Sequence, residues 1–402
     1  MKRFTRMALL LGIAPFFVAA SETQYVTIGG HAAHPTRILA KRKAGQVEQA
    51  AADLLDGQKL QVVRQFKLVP GLQVLEPIAP PISAAGDETA DEALLNRIAA
   101  LRASEQFEYV EPDYTVYAQL QPTDEKFQDG TLWGLKNSGG KGGVLGADID
   151  AERAWDITTG STNVIVAVID SGIRYTHQDL AAQMWVNPGE IPGNGIDDDE
   201  NGYVDDVYGI NAAQGTGDPM DDNDHGTHCA GTIGAMANGG GPHVGVAWNV
   251  RLMALKFLGA DGTGSTSAAI ECLDYAVAMG AKISNNSWGG GPKSEALYDA
   301  LVRAREADHL FIAAAGNSGT DNDILPQYPS NYELDNVIAV AALDRRDRLA
   351  RFSCYGLTSV DLGAPGVEIY SSTSGSDSEY KVFQGTSMAT PLAAGCAALV
   401  RQ

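Results

Sequence analysis

The chain lacks the cysteine spacing that binds structural zinc. Its four cysteines, Cys229, Cys272, Cys354 and Cys396, include no C-x-x-C pair, which argues against such a site. Positive charge is scarce: 29 Lys and Arg stand against 50 Asp and Glu, for a formal net charge of −21. A surface that acidic disfavours nucleic acid and anionic membranes as partners, and it favours solubility. Long apolar runs are missing beyond the first twenty residues, so no later stretch is long enough to cross a bilayer.

What is present is a chain of 402 residues, 44% apolar and 20% charged. That length suits two or three domains with buried cores. Residues 1–20 stand apart. Lys2, Arg3 and Arg6 give a basic start, residues 7–18 are apolar, and Val18-Ala19-Ala20 offers small side chains. This is the pattern of an export signal, too short to span a membrane. It predicts a protein secreted to an extracellular or periplasmic space. There the four cysteines can pair, in any of three connectivities. Their Ala- and Gly-rich surroundings suit buried free thiols equally well.

Residues 21–119 read as one small α+β domain. Segments 62–69 and 73–76 are strand-like, with Pro70-Gly71 as the turn between them. Residues 90–103 carry helical periodicity through Leu94, Leu95, Ile98 and Leu101. Phe107-Glu108-Tyr109-Val110 is a further strand, and residues 79–87, rich in Pro, Ala and Gly, a surface loop. Residues 120–402 alternate strands and helices, which argues an α/β fold with a parallel sheet. Runs at 164–169, 252–258, 310–315 and 337–342 are nearly continuous in apolar residues, as buried parallel strands are. Segment 283–287 is a more polar strand, and 266–279 and 294–307 are helices. Functional groups in such sheets gather at the carboxyl ends of strands. Asp170 and Asn317 both follow such runs.

Three short polar segments carry chemistry: Val168-Ile169-Asp170-Ser171-Gly172, Asp224-His225-Gly226-Thr227-His228-Cys229-Ala230-Gly231, and Gly385-Thr386-Ser387-Met388-Ala389-Thr390-Pro391. Amide hydrolysis needs a nucleophile that a serine hydroxyl cannot supply alone. A histidine near neutrality takes its proton and passes it to the leaving amine. A buried carboxylate holds that imidazole in the right tautomer. Asp170, His225 and Ser387 are the candidates for these roles. Ser387 opens an Ala-rich helix expected over 388–400, with Pro391 in its first turn, so unpartnered amides sit beside it. Asn317, in Ala314-Ala315-Gly316-Asn317-Ser318-Gly319, is placed to donate to a developing oxyanion, with the backbone N–H of Ser387 as second donor.

These segments closely resemble the motifs of the subtilisin-like serine proteases, over about residues 125–402. The resemblance implies a three-layer α/β fold with a mainly parallel seven-stranded sheet, and cleavage within polypeptides through an acyl-enzyme. It presents Ser287, Trp288, Gly289 and Gly290 as the extended substrate-binding strand, to which a peptide adds by main-chain hydrogen bonds. It presents Ala314, Ala315 and Gly316 as a wall of the primary specificity pocket, whose small residues favour apolar or aromatic side chains. Cys229, four residues after His225, is similar to the thiol-containing branches and implies sensitivity to mercurials. Tyr109-Val110-Glu111-Pro112-Asp113 looks like the end of an inhibitory propeptide, removed near Leu120. The chain's own propeptide would then be an intramolecular inhibitor and folding chaperone, and the mature enzyme a monomer free of membrane. Members of this family usually continue past residue 402, so the resemblance implies a truncated last helix. The alternative reading is a catalytically inactive truncated homologue that acts as a binding protein.

Residues 190–224 hold eleven Asp or Glu and no Lys or Arg. Such charges repel unless a cation relieves them. Asp197, Asp199 and Asn201, then Gly202, the carbonyl of Tyr203 and Asp205 follow the start of a helix–loop–helix calcium loop. Tyr208 replaces the usual twelfth-position Glu, so Asp206 is expected to complete the shell. Calcium is thus expected as a structural ion, and no cofactor for catalysis.

Overall fold

The computed structural model describes residues 26–29, 31–45, 48–78, 89–116 and 121–401. The chain divides into two units, Met1–Tyr117 and Ala118–Gln402. The export-signal segment, the loop at 79–87 and the expected processing point near Leu120 lie outside the described residues.

In the first unit, β1 (Val26–Ile28), β2 (His31–Arg42), β3 (Leu60–Gln65), β4 (Leu72–Pro77) and β5 (Phe107–Tyr114) form one antiparallel sheet, with α1 (Glu48–Gly57) and α2 (Ala90–Ala103). Helix α2 starts at a capping box. Thr89 accepts from the Glu92 amide at 3.4 Å, and the Glu92 carboxylate accepts from the Thr89 amide at 2.9 Å. Leu94, Ile98 and Leu101 are buried as their spacing predicts, whereas Leu95 is 44% exposed. The strand expected over 62–69 occupies Leu60–Gln65 instead, because residues 67–71 turn into β4. Strand β2 and helix α1 were not evident in the sequence. Pro35 interrupts the alternation of β2 and lies where its register against β5 shifts, between Ala33 and Ile38.

The second unit begins with two short helices, α3 (Glu125–Gln128) and α4 (Ala151–Trp155). Its sheet is built from β6 (Ile165–Asp170), β7 (Gly209–Asn211), β8 (Arg251–Lys256), β9 (Ile283–Asn286), β10 (Leu310–Ala314), β11 (Val337–Leu343) and β12 (Leu362–Pro365). The spatial order is β12-β11-β10-β9-β6-β8-β7, and every pairing is parallel. Side chains alternate between its faces. Val166 and Val168 join one core with residues of α5 (His225–Gly234) and of the last helix; Ala167 and Ile169 join another with residues of α6 (Thr266–Ala278) and α7 (Glu295–Glu306). The result is the three-layer α/β architecture expected from the sequence. A two-stranded ribbon, β13 (Ile369–Ser372) and β14 (Tyr380–Phe383), precedes the last helix, α8 (Thr386–Val400).

Helix α8 corrects one expectation. It starts at Thr386, two residues earlier than its alanines suggest, so Pro391 lies inside the helix and not in its first turn. A proline there has no N–H for the carbonyl four residues before it. That carbonyl belongs to Ser387. The four cysteines are free thiols, three of them buried. Among the described residues no helix is long and apolar enough to cross a membrane.

Candidate active site

Parallel pairing brings separate segments to one end of the sheet. Val168 pairs with Asn285, and Ala313 with Asn286. The residues that follow, Asp170, Ser287 and Ala314 onward, therefore emerge together at the carboxyl ends of β6, β9 and β10.

Asp170 ends β6 and is fully buried, while His225 opens α5 with its side chain 28% exposed. Their closest atoms, Asp170 Oδ1 and His225 Nδ1, are 2.8 Å apart. Because a carboxylate accepts, Nδ1 carries the proton and Nε2 is left as a base. Burial disfavours the imidazolium, but the Asp170 charge and hydrogen bond, with a smaller contribution from Asp221, outweigh it and hold the His225 pKa above its ordinary 6.5. Just before His225, Asp224 adopts φ 81°. Its carboxylate is tied to the Ser374 amide at 2.9 Å and to Lys381 Nζ at 2.6 Å, which fixes this uncommon conformation.

Two serines lie near this pair. Ser171 is fully buried, and its hydroxyl donates to Asp221 at 2.8 Å while accepting from the Gly226 amide at 2.9 Å. It is a structural link. Ser387 instead lines a cleft with His225 and Asn317. Its hydroxyl donates to the Ser287 carbonyl at 3.0 Å, and among the described residues no hydrogen bond joins Ser387 to His225. Asn317 Oδ1 accepts from the Thr386 amide at 2.9 Å and from the Thr386 hydroxyl at 3.0 Å. With its oxygen so held, the remaining Nδ2 donors are those available to the cleft. The Ser387 amide belongs to the first turn of α8, where N–H groups have no helical partner.

The cleft has a volume of about 580 Å³. Apart from His225, none of its lining residues is ionisable as an acid or a base near neutrality; Phe257, Leu258, Trp288, Leu297, Tyr328 and Tyr332 supply apolar and aromatic surface. The two tyrosines come from a loop with no motif of its own, and the sequence reading did not include them. Ser287, Trp288, Gly289 and Gly290 form one wall. Gly290 donates to the Tyr328 carbonyl at 3.1 Å, so one edge of this segment is paired. Trp288 packs edge-on against Phe257 at 4.9 Å, and so joins the wall to the core. Ala314 and Ala315 are buried, and neither they nor Gly316 is among the lining residues. Gly316 instead contacts Cys354: a Cβ there would lie 3.1 Å from its Sγ.

The acidic loop gathers a different set from the one its spacing suggests. Oxygens of Glu190, Asp199 and Asp206 lie within 4.8 Å of one another. Glu190 Oε2 is buried with no hydrogen-bond partner among the described residues. Asp197 is occupied by the amides of Asn201 and Gly202, at 3.0 and 2.8 Å. Asp205 takes those of Gly193, Asn194 and Gly195. Asn201 donates its side-chain amide to Asp206, and the Tyr203 amide bonds back to Asn201. Asp199 and Asp206 also accept, both from the Asn187 side-chain amide at 3.0 Å, so the cluster's orphaned oxygen is that of Glu190; hard carboxylate oxygens gathered around it fit calcium chemically. Glu190 lies seven residues before Asp197, outside the loop pattern.

Comparison with known proteins agrees with this architecture. The profile of the subtilase family matches residues 161–402. The chain is 37% identical over 303 residues to a thermophilic serine proteinase of Bacillus sp. (strain AK1), covering 75% of this chain and 65% of that protein. It is 35% identical over 252 residues to thermitase of Thermoactinomyces vulgaris, covering 63% of this chain and 79% of thermitase. It is 38% identical over 254 residues to subtilisin-like protease 1 of Plasmodium vivax, covering 59% of this chain and 40% of that protein. The chain thus spans less than two thirds of the length of the Bacillus and Plasmodium relatives. With a family profile over most of its second unit and a seven-stranded parallel sheet behind Asp170, His225 and Ser387, the chain belongs to the subtilase family.

Proposed function

We propose that this protein is a secreted serine endopeptidase in which Ser387 is the nucleophile, His225 the base, Asp170 its orienting carboxylate and Asn317 an oxyanion donor. The observation that carries the reading is the Asp170–His225 pair, which opens onto the same cleft as Ser387 and Asn317. A peptide laid along residues 287–290 as an added strand presents its carbonyl to Ser387. Its main chain competes for the Ser287 carbonyl, which frees the Ser387 hydroxyl to turn to His225. His225 Nε2 takes the hydroxyl proton as Oγ bonds to the carbonyl carbon. Asn317 and the Ser387 amide stabilise the oxyanion. The C–N bond then breaks, and the same proton goes to the leaving amine. Water, deprotonated by His225, hydrolyses the ester and restores the serine.

The aromatic and uncharged lining favours apolar or aromatic side chains before the cut. The first unit is read as the propeptide, an intramolecular inhibitor and chaperone, and the mature enzyme as a monomer. Glu190, Asp199 and Asp206 would hold a structural calcium ion, which supplies no chemistry to the reaction but neutralises the loop.

The test is fluorophosphonate labelling of the protein freed of residues 1–119, with turnover of quenched peptides carrying Phe, Leu, Arg or Glu before the cut. Label on Ser387 and preference for Phe or Leu are expected. A folded, processed sample that takes no label would point to a binding protein, and preference for Arg or Glu would refute the specificity.

A further inference from the structure

We propose that the Ser287 hydroxyl is a positioning residue for the nucleophile, holding the Ser387 carbonyl that helix α8 leaves without a donor. The proposal rests on the reading of Ser387 as nucleophile.

In an uninterrupted helix the Ser387 carbonyl would accept from the N–H four residues on. That residue is Pro391, which has none. A buried carbonyl without a donor is costly. Two side chains from other elements reach it. Ser287 Oγ lies 2.9 Å away and Cys229 Sγ 3.5 Å away. The thiol is the weaker donor.

The Ser387 carbonyl can only accept, so the hydroxyl 2.9 Å from it is the donor. Asn285 Nδ2, which only donates, lies 3.0 Å from Ser287 Oγ. The hydroxyl accepts there and spends its single proton on Ser387. Asn285 is fully buried and Ser287 is 3% exposed, so water does not compete for the pair. A chain of donors thus runs from Asn285 on β9 through Ser287 to the backbone of Ser387. Fixing that carbonyl restrains ψ of Ser387, and so the direction in which its Cα carries Oγ into the cleft. The Ser287 carbonyl accepts from the Ser387 hydroxyl, while the Ser287 side chain bonds to the Ser387 carbonyl and to Asn285.

The test uses the processed protein and the variants Ser287→Ala, Ser287→Cys and Ser287→Thr. The readouts are the second-order rate of fluorophosphonate labelling, kcat and KM on one peptide, and melting temperature. Displacement of reacting atoms by about 1 Å costs roughly 10²-fold in rate. Ser287→Ala should accordingly lose about 10- to 100-fold in labelling rate and kcat, with KM within about twofold. Ser287→Cys, close in volume and a weaker donor, should fall between, which keeps the question open to measurement if the alanine variant does not fold. Ser287→Thr, which keeps the hydroxyl, should recover most of the rate. Labelling of Ser287→Ala and Ser287→Cys at the wild-type rate, or a loss seen only in melting temperature or KM, would overturn the proposal alone. A wild-type protein that takes no label would overturn the nucleophile reading and this proposal with it.

Discussion

Gly226 approaches Gly172 so closely that a Cβ on it would lie 2.2 Å from the Gly172 carbonyl oxygen and 3.2 Å from Asp170 Cβ. The residue after His225 is therefore packed against the turn after Asp170, and two backbones set the distance between the acid and the base.

Gly226→Ala should force those backbones apart. Overpacking of this kind costs about 1–3 kcal/mol of stability. The expected outcome is a lower melting temperature together with a kcat loss of more than about tenfold, since small misplacements of reacting groups are costly. A variant with full kcat would show that the close approach does not set the geometry of the pair.

The pH profile should carry the mark of Asp170. Activity needs neutral His225, whose pKa is held above 6.5 in the folded protein. As pH falls through that raised value, kcat/KM should fall, with the acid limb centred above 6.5. Asp170→Asn removes the charge and presents the wrong hydrogen-bonding partner. By the magnitude known for the equivalent change in a trypsin-like enzyme, about 10⁴-fold of kcat should be lost. The limb of the residual activity should move to lower pH. An unmoved limb would separate His225 from the observed titration.

Asn317→Ala should lower kcat by about 10²–10³, the effect measured for the oxyanion asparagine of a subtilisin. KM should change little, because the donor acts on charge that develops in the transition state. The readout is steady-state kinetics on one peptide. A change confined to KM would make Asn317 a ground-state binding group.

Chelation should lower the melting temperature, and calcium should restore it. At a free concentration 100 times Kd, a bound ion contributes about 2.7 kcal/mol. Glu190→Gln should weaken that response more than Asp197→Asn, because Asp197 is already occupied by backbone amides and Glu190 has an unpartnered oxygen. Equal responses in the two variants would favour the loop pattern over the cluster.

Stability should fall in mild acid. Burial pushes His228 and His243 down to about 3, and His309 to about 4. In the unfolded chain all three titrate near 6.5. Their contribution is thus complete above 6.5 and is lost as pH falls from there towards 4, where the unfolded state binds protons that the folded state does not. Asp179, raised by burial to about 6, Asp221 and Asp124, also raised by burial, and His225, raised by Asp170 against its own burial, work in the opposite direction. Each uncompensated proton is worth about 1.4 kcal/mol per pH unit. Urea midpoints measured between pH 7 and 4.5 should decline, and His309→Gln should flatten the slope. A midpoint constant over that range would contradict the assignment.

Much of the site was legible because its chemistry is local in sequence. Asp170, His225, Ser387 and Asn317 each sit in a short glycine-containing segment beside an apolar run. The near-continuous apolar runs read as parallel strands follow β6, β8, β10 and β11 to within a few residues, because buried parallel strands need apolar side chains on both faces. Strand β2 was not evident, since a mixed sequence interrupted by Pro35 carries no clear period.

Other features are non-local and arise only when distant segments pack together. Glu190 joins Asp199 and Asp206 although it lies outside the loop pattern, because folding brings their oxygens together across a turn. Tyr328 and Tyr332 enter the cleft from a loop with no motif. Pro391 reads as a first-turn residue until the true start of α8 is known. It then accounts for a free carbonyl at Ser387 and for the Ser287 hydroxyl beside it. Residue types alone mark which groups are able to carry chemistry, since they set what an atom can donate, accept or attack. Which of those groups meet, and which hydrogen each one has left to give, depended on packing among segments up to a hundred or more residues apart.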